Sequence, residues 1–138
     1  MGRSEVGLPR FFVDSSVILN LMSADASRAG SAEALIARRP VISVQVLNEV
    51  AHVCRDELRM TWSEVGQFLD EVKALCDVVP MTMEAHDLAR RIADWHGLSF
   101  CDASVAATAT IEGCRSLYTE GVHGLILEES LTFRDPFA

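Results

Sequence analysis

The sequence predicts an α/β domain in which a short parallel sheet lies between helices. Short β-branched and aromatic runs alternate along the chain with amphipathic helical stretches, and this alternation is typical of parallel βαβ units. The 138 residues are 49% hydrophobic and 23% charged, which is a composition typical of a globular protein. We expect residues 10–138 to form one domain and residues 1–9 to form a loose extension.

The first half of the chain contains two predicted strands, each followed by a helix or a helix cap. Residues 10–14 form a short apolar and aromatic run that ends in a carboxylate. A short helix is predicted over residues 31–39, because the proline that follows closes it. Residues 41–44 have strand character and continue into a helix over residues 44–59, whose apolar side chains recur at helical spacing.

The middle of the chain is predicted to contain two helices joined by a short strand. Thr61–Glu64 has the form of a capping box and opens the first of these helices. A short extended segment follows at residues 78–81, and Pro80 confines it to an edge or an end of the sheet. The second helix covers residues 83–96, where the glycine that follows acts as a C-terminal stop.

The last third of the chain continues the alternation. Residues 99–102 open a helix of small residues that ends at a glycine. Residues 116–119 are predicted to be a strand, and residues 125–138 form a tail that adds a last strand around residues 131–133. No repeat or linker divides these elements, so they belong to the same domain.

The charge of the chain is acidic. Twenty acidic and twelve basic residues give a formal net charge of -8, whereas a general nucleic-acid binder usually has a basic surface. A surplus of acids has a second interpretation, which is that carboxylates are concentrated at one place to hold divalent cations. With no long apolar run and no secretory h-region, we expect a cytoplasmic protein that does not associate with membranes.

The four cysteines, Cys54, Cys76, Cys101 and Cys114, contain no C-x-x-C pair, so zinc-ligand spacing is absent. Each cysteine lies among apolar neighbours in the sequence. We therefore expect all four to be reduced, buried thiols.

Four acids follow apolar strands or open helices, where a parallel sheet places its ligand-binding edge. They are Asp14, Glu49, Asp102 and Glu120. Carboxylates gathered on one edge repel one another unless a cation compensates their charge. Hard oxygen ligands suit Mg²⁺ or Mn²⁺, so the pattern predicts a site for such an ion.

Each of these acids also has a purely structural interpretation. Asp14 could serve only as the N-cap of the next helix, and Asp102 could serve only in a capping box. Glu49 lies nearly opposite the apolar stripe of its helix, and Glu120 lies on a turn, so both could simply be solvated. Asp102 shares a helical stripe with Val105, however, which places this acid at the head of an inward-packing face.

Several segments together resemble the PIN domain, and specifically its VapC-type toxin ribonucleases. They are FFVDSSVILNL at residues 11–21, VISVQVLNEV at 41–50, LSFCDASVAATATIEGC at 98–114, SLYTE at 116–120 and DPF at 135–137. The resemblance covers roughly residues 10–138. It implies a three-layer α/β/α fold and a metal-dependent endoribonuclease that cuts single-stranded RNA with Mg²⁺ or Mn²⁺. It also implies a homodimer that is neutralised by a cognate antitoxin.

The resemblance assigns roles to three of the acids. Asp14 matches the acid that ends the first strand, Asp102 the acid that opens the small-residue helix, and Glu49 the acid of the helix after the second strand. Asp14 and Asp102 would bind the metal directly, and Glu49 would complete the ligand set or orient a water molecule. All three are therefore our candidate catalytic and metal-binding residues.

The fourth acid departs from the family pattern. The family usually has an aspartate two residues after the Thr or Ser that follows the fourth strand, and Gly121 stands at that position. Either Glu120 reaches the metal with its longer side chain, or three acids hold the ion. Ser16 also stands where the family often has Asn, although a hydroxyl can still form hydrogen bonds there. A weakened PIN-like module that binds RNA or a partner without efficient cleavage is the alternative.

Overall fold

The structure is a computed structural model that describes residues 9–122, 124–127 and 130–138. Its strands are β1 (Phe11–Val13), β2 (Val41–Ser43), β3 (Asp77–Val79), β4 (Ser116–Tyr118), β5 (Ile126–Leu127) and β6 (Leu131–Arg134). Its α-helices are α1 (Ser15–Leu19), α2 (Ala26–Ile36), α3 (Val44–Asp56), α4 (Trp62–Leu75), α5 (Met83–His96) and α6 (Phe100–Ile111). A 3₁₀ turn at Asn20–Met22 connects α1 to α2. The predicted extension at residues 1–9 lies almost wholly outside the described residues.

The strands form one sheet in the order β3-β2-β1-β4-β6-β5. The pairs β1–β2, β1–β4, β2–β3 and β4–β6 are all parallel, which confirms the predicted parallel sheet for five strands. β5 instead pairs antiparallel with β6. Only three residues separate these two strands, whereas a parallel neighbour needs a crossover of about a dozen residues or more.

Both faces of the central strands are covered. Every residue of β1 and of β2 is buried, and successive strand residues point to opposite faces of a sheet. A strand buried on both faces is characteristic of an α/β protein with helices on each side. The largest fully buried side chains include Phe12 of β1 and Phe133 of β6, so the core extends across the sheet.

The register of the parallel strands aligns their carboxyl ends at one edge. Val13 at the end of β1 lies opposite Tyr118 at the end of β4, and Tyr118 lies opposite Arg134 at the end of β6. The residues that follow these strands therefore meet at the same edge. This is the edge at which open α/β sheets bind ligands.

Most predicted helix boundaries agree with the structure, but three do not. α2 ends at Ile36 rather than at residue 39, α3 ends at Asp56 rather than at residue 59, and the start of α2 also differs. The capping box of α4 is present, with Thr61 and Glu64 each accepting a hydrogen bond from the other's backbone N–H. α2 begins at Ala26 rather than at residue 31, because the Asp25 carboxylate accepts hydrogen bonds from the amides of Ser27 and Arg28 and starts the helix one turn and more earlier. β3 lies at an edge of the sheet, as the proline after it requires.

The prediction of four buried cysteines is wrong at one position. Cys54, Cys76 and Cys114 are buried, but Cys101 is exposed. Cys101 lies in the first turn of α6, where Phe100 is also exposed, so apolar neighbours in the sequence do not place it in the core. Among the described residues no helix is both long and apolar enough to cross a membrane.

Candidate active site

Three of the four predicted acids lie near one another at the carboxyl edge of the sheet. Asp14 directly follows β1, Glu49 lies in α3, and Asp102 lies in the first turn of α6. The negative charges of Glu49 and Asp102 both act on Asp14 and raise its pKa. These three residues come from segments that are more than 30 positions apart in the sequence. We call Asp14, Glu49 and Asp102 together the acid centre.

Asp14 is the most buried of the three acids and is 9% exposed. One carboxylate oxygen accepts a hydrogen bond from the amide of Ser15 at 2.7 Å, so Asp14 is indeed the N-cap of α1. The other oxygen accepts a hydrogen bond from the Thr119 hydroxyl at 2.9 Å. Burial nevertheless raises the pKa of this carboxyl, and with the negative charges of Glu49 and Asp102 it outweighs the two hydrogen bonds, which lower the pKa.

The role of Thr119 was missed by sequence analysis, although the residue lies in a quoted motif. It directly follows β4, and parallel pairing of β1 with β4 places it next to the end of β1. Its side chain is buried against Asp14. Thr119 therefore fixes the orientation of the Asp14 carboxylate from the neighbouring strand.

Glu49 has a carboxylate oxygen that lacks a protein partner. Its Oε1 atom is buried and accepts no hydrogen bond, while its Oε2 atom accepts one from the Cys101 thiol. A buried anionic oxygen without a partner is unfavourable, and a cation is one group that can satisfy it. This unsatisfied oxygen fits the predicted metal site better than it fits a solvated surface glutamate.

Asp102 does not complete a capping box with Ser99. The Ser99 hydroxyl caps α6 by accepting a hydrogen bond from the Asp102 amide at 3.1 Å. The described hydrogen bonds do not include the reciprocal one, from the Ser99 amide to the Asp102 carboxylate, that a capping box requires. All residues from Ala103 to Ala109 are buried, so α6 is enclosed on every side behind Asp102 and its burial does not single out one inward face.

Cys101 is the second residue of the site that sequence analysis missed. Its thiol contacts Glu49, and its pKa is raised to about 12, first by desolvation and then by its hydrogen bond to Glu49 and by the charges of all three acids. The signal that could have found it is its position directly before Asp102 in the first turn of a helix. The thiol thus experiences the combined negative field of the acid centre.

This field makes the reactivity of Cys101 a measure of the acid centre. Cys101 is the exposed cysteine among the four, yet we expect iodoacetamide to label it at least roughly tenfold more slowly at neutral pH than a free cysteine peptide, because thiolate is the reactive form. Labelling should accelerate at alkaline pH and in the Glu49→Gln variant, which removes one of the repelling charges. Mass spectrometry of timed samples measures the rate, and labelling of wild-type Cys101 at the peptide rate would contradict the observed contact.

The structure does not bring Glu120 to the other acids. The guanidinium of Arg28 forms an ion pair with the Glu120 carboxylate, and the Asn20 amide donates to it at 3.3 Å. Arg28 also donates to Asn20 Oδ1 at 3.0 Å. Glu120 is therefore held by the segment between α1 and α2 and by the start of α2.

Gly121, which stands where the family usually has an aspartate, lies in a turn that is fixed by hydrogen bonds. Gly121 has a φ of 91°, a conformation that favours glycine, and its amide donates to Asp135 Oδ2 at 2.8 Å. The Ser16 hydroxyl accepts a hydrogen bond from the Glu120 amide at 3.0 Å. Ser16 thus anchors the turn after β4 through its hydroxyl, as its hydrogen-bonding capacity allows.

The donor chemistry of the acid centre suits a hard divalent cation. Asp14, Glu49 and Asp102 offer carboxylate oxygens, which are the ligands that Mg²⁺ and Mn²⁺ prefer. As the side chains stand, no three His, Cys, Asp or Glu residues in the described part of the chain are arranged to hold a metal ion. The fit to a metal therefore rests on the unsatisfied Glu49 oxygen and on the shared charge of the three acids.

Comparison with known families gives the same assignment as the sequence motifs. A family model described as the PIN domain matches residues 11–122, a span that includes all three acids and most of the sheet. The chain belongs to the PIN domain family. The α/β fold of this PIN domain, with its mostly parallel central sheet, agrees with the predicted fold class.

Solved structures with the same fold include toxins and toxin–antitoxin complexes. The PIN domain is 23% identical to the sarcin–ricin loop cleaving toxin VapC20 of Mycobacterium tuberculosis, with a TM-score of 0.61 over 78% of this chain and 86% of that one. It is 15% identical to a chain of a toxin–antitoxin complex from Klebsiella pneumoniae, with a TM-score of 0.69 over 92% of this chain and 97% of that one. It is also 15% identical to VapBC2 of Rickettsia felis bound to promoter DNA, with a TM-score of 0.64 over 91% and 97%. No curated protein sequence matches the chain significantly.

Proposed function

We propose that this PIN domain is a Mg²⁺- or Mn²⁺-dependent endoribonuclease that cuts single-stranded RNA and acts as the toxin of a toxin–antitoxin pair. The observation that carries the proposal is the convergence of Glu49 and Asp102 on the buried carboxylate of Asp14. A protein gains nothing in stability from three such acids beside one another, because they repel. Their arrangement is explained by a cationic ligand and by the chemistry that the ligand supports.

The metal would be held by Asp14, Glu49 and Asp102. When bound, a divalent cation lowers the pKa of water to give a hydrolytic nucleophile and offsets negative charge on the phosphoryl oxygens. It also explains how an acidic chain of net charge -8 can act on an anionic substrate. A cation held by these three carboxylates would offset their repulsion of the RNA backbone.

The chain's own residues orient the ligand atoms. Thr119 and the Ser15 amide each hold one oxygen of Asp14, and the Cys101 thiol holds Glu49 Oε2. Glu49 Oε1 remains without a partner. Hydrogen bonds from rigid elements restrict the carboxylates before substrate arrives, which reduces the reorganisation that catalysis requires.

The direct test is cleavage of a structured RNA pool by the purified protein. Parallel reactions contain Mg²⁺, Mn²⁺ or EDTA, and sequencing of the fragments maps the cut sites. We expect cuts in single-stranded regions with either metal and none with EDTA. Absence of cuts with every metal from folded protein would refute the nuclease and favour the weakened binding module.

Substitution of Glu120 tests whether the metal has three carboxylate ligands from the protein or four. Because Arg28 and Asn20 already hold its carboxylate, we expect Glu120→Gln to leave Mn²⁺ affinity within about twofold of wild type. Glu49→Gln, by contrast, should weaken Mn²⁺ binding at least roughly tenfold, since it removes the charge of the unsatisfied carboxylate. Isothermal titration of Mn²⁺ measures both. An equal loss in the two variants would place Glu120 in the ligand set.

We propose that the PIN domain binds a cognate antitoxin. We also propose that it forms a homodimer and that it acts in the cytoplasm. Two of the similar structures cited above are toxin–antitoxin complexes, one of them bound to DNA. The chain also exposes large apolar side chains, such as Leu58 and Trp62 around the start of α4. Light scattering of the purified protein tests the dimer, and loss of cleavage on adding the protein encoded next to the toxin gene tests the antitoxin.

A further inference from the structure

We infer that Asp135 is a positioning residue for the acid centre, and that it acts through Thr119 on the carboxylate of Asp14. The inference rests on the proposed function, because it concerns how the same site keeps the orientation of its ligand atoms. Asp135 directly follows β6 and is not part of the acid centre. Its carboxylate binds the turn after β4, which consists of residues 119–121, and this turn carries the hydroxyl that donates to Asp14.

Three consecutive backbone amides of this turn are held by hydrogen bonds. The bonds run from Thr119 to the Arg134 carbonyl at 2.9 Å, from Glu120 to the Ser16 hydroxyl at 3.0 Å and from Gly121 to Asp135 Oδ2 at 2.8 Å. The acceptors belong to the end of β6, to α1 and to the residue after β6. Because three amides in succession are fixed, the backbone of the turn is restricted, and with it the direction of the Thr119 hydroxyl.

The Asp135 carboxylate joins two segments of the chain. Its Oδ2 atom accepts the hydrogen bond from the Gly121 amide, and its Oδ1 atom accepts one from the Phe137 amide at 2.9 Å. Each oxygen therefore binds a different backbone group. The carboxylate thus ties the turn after β4 to the segment after β6, and a side chain with a single acceptor oxygen could not make both bonds.

The segment after β6 is itself held in place. The side chain of Phe137 packs against the hydrophobic core, and the guanidinium of Arg28 lies 4.5 Å from the centroid of its ring, which is a favourable cation–π geometry. Arg28 also forms the ion pair with Glu120 in the turn. Asp135 therefore extends from an anchored segment, so its hydrogen bond to Gly121 can hold the turn in position.

The orientation of the Asp14 carboxylate depends on this turn. The Thr119 hydroxyl donates to Asp14 Oδ2 at 2.9 Å, and both side chains are buried. A displaced turn would move this hydroxyl and leave Oδ2 without its partner. Groups that orient a metal ligand in this way commonly change metal affinity by about 10- to 100-fold when they are removed. Asp135 lies one contact further from Asp14, so we expect a smaller effect that follows the same route.

The test is a double-mutant cycle between Asp135 and Thr119, with Mn²⁺ affinity measured by isothermal titration of the full chain. Asp135→Asn keeps the size of the side chain but supplies one acceptor oxygen in place of two, so one of the two hydrogen bonds to backbone amides is lost. Thr119→Val removes the hydroxyl and keeps the shape of the side chain. We expect Mn²⁺ affinity to fall about fivefold in Asp135→Asn and about tenfold in Thr119→Val.

The combined variant shows whether Asp135 acts through Thr119. If it does, the double variant should bind Mn²⁺ within about twofold of Thr119→Val alone, whereas independent effects would multiply to a loss of about fiftyfold. The loss of a negative charge by itself would weaken Mn²⁺ binding equally in both backgrounds, and would therefore appear as independent effects. Thr119→Ser keeps the hydroxyl, so in that background Asp135→Asn should again cost about fivefold.

Asp77→Asn is the matched control. The substitution also removes one negative charge, together with the ion pair to Arg10 at 2.8 Å. Asp77 is the first residue of β3, however, and lies at the opposite edge of the sheet from the acid centre. We expect its Mn²⁺ affinity to stay within about twofold of wild type. Thermal melting verifies that each variant is folded, and Thr119→Ala replaces Thr119→Val in the cycle if the valine variant does not fold.

The outcomes separate this inference from the proposed function. Unchanged affinity in Asp135→Asn, an equal loss in Asp77→Asn, or a loss of about fiftyfold in the double variant would overturn the positioning role. No Mn²⁺ binding to wild type would overturn it together with the metal site. Coupled losses of affinity in a protein that cuts no RNA would support the positioning role and refute the nuclease. In an active nuclease saturated with Mn²⁺, Asp135→Asn should lower kcat and leave KM for RNA unchanged.

Discussion

Replacing Asp14 with Asn is expected to reduce metal-dependent RNA cleavage at least about a thousandfold, which corresponds to roughly 4 kcal/mol of transition-state stabilisation. Asp14 is the residue on which the charges of Glu49 and Asp102 both act, so its carboxylate is central to the acid centre. The substitution removes one negative charge and one anionic ligand oxygen. Initial cleavage rates in Mg²⁺ and Mn²⁺ measure the effect.

The same substitution should leave the chain folded. An asparagine oxygen can accept the hydrogen bond that the Ser15 amide donates at 2.7 Å, and so preserve the N-cap of α1. The Thr119 hydroxyl can rotate to accept from the new amide group. Burial raises the pKa of Asp14, so ionisation of this group is unfavourable in the metal-free fold. Circular dichroism should therefore show a melting temperature equal to or above that of metal-free wild type.

Asp25→Asn is the matched control. Asp25 is the N-cap of α2, where it accepts from the Ser27 amide at 2.9 Å, but it is exposed and is not among the groups that act on Asp14. The chemical change and the structural role are the same, so cleavage should stay near the wild-type rate. Cleavage that persists in Asp14→Asn, or that falls equally in both variants, would remove Asp14 from the catalytic machinery.

The parts of the site that could be predicted from sequence are those fixed by local chain geometry. Asp14 follows a β-branched and aromatic run, and Asp102 opens a helix at a serine cap. The first feature places the Asp14 carboxylate at the carboxyl edge of a parallel sheet, whereas Asp102 follows α5 rather than a strand and reaches that edge because α6 packs against the sheet. The position of Asp14 therefore follows from a pattern that spans only a few residues.

The parts that could not be predicted depend on contacts between distant segments. The residue that holds Glu120 is Arg28, which lies 92 positions earlier in the chain, and nothing near either residue in the sequence specifies the pair. The contact between Cys101 and Glu49 joins two helices separated by 52 positions. Such contacts are set by the packing of α2, α3 and α6 rather than by periodicity, so sequence patterns locate the acids but not their partners.

A second large effect is expected from Mn²⁺ on the stability of the wild-type protein. A ligand present at about a hundred times its dissociation constant stabilises the folded state by roughly 2.7 kcal/mol, which for a chain of this size raises the melting temperature by roughly 10 °C. The bound cation also removes the repulsion among the three acids. Asp14→Asn should show little of this shift, and Asp25→Asn should show all of it.

The size of the Mn²⁺ effect should increase with pH. Because the pKa of Asp14 is raised in the fold, the folded state binds more protons than the unfolded state between the ordinary and the raised pKa, and metal-free stability falls as pH rises through that window. Below it, Asp14 is protonated, so the penalty vanishes and protons compete with the metal. Melting curves at about pH 5 and about pH 7.5 should therefore show the larger Mn²⁺ shift at the higher pH. Equal shifts at both values, or a shift retained in Asp14→Asn, would mean that Mn²⁺ binds away from the acid centre.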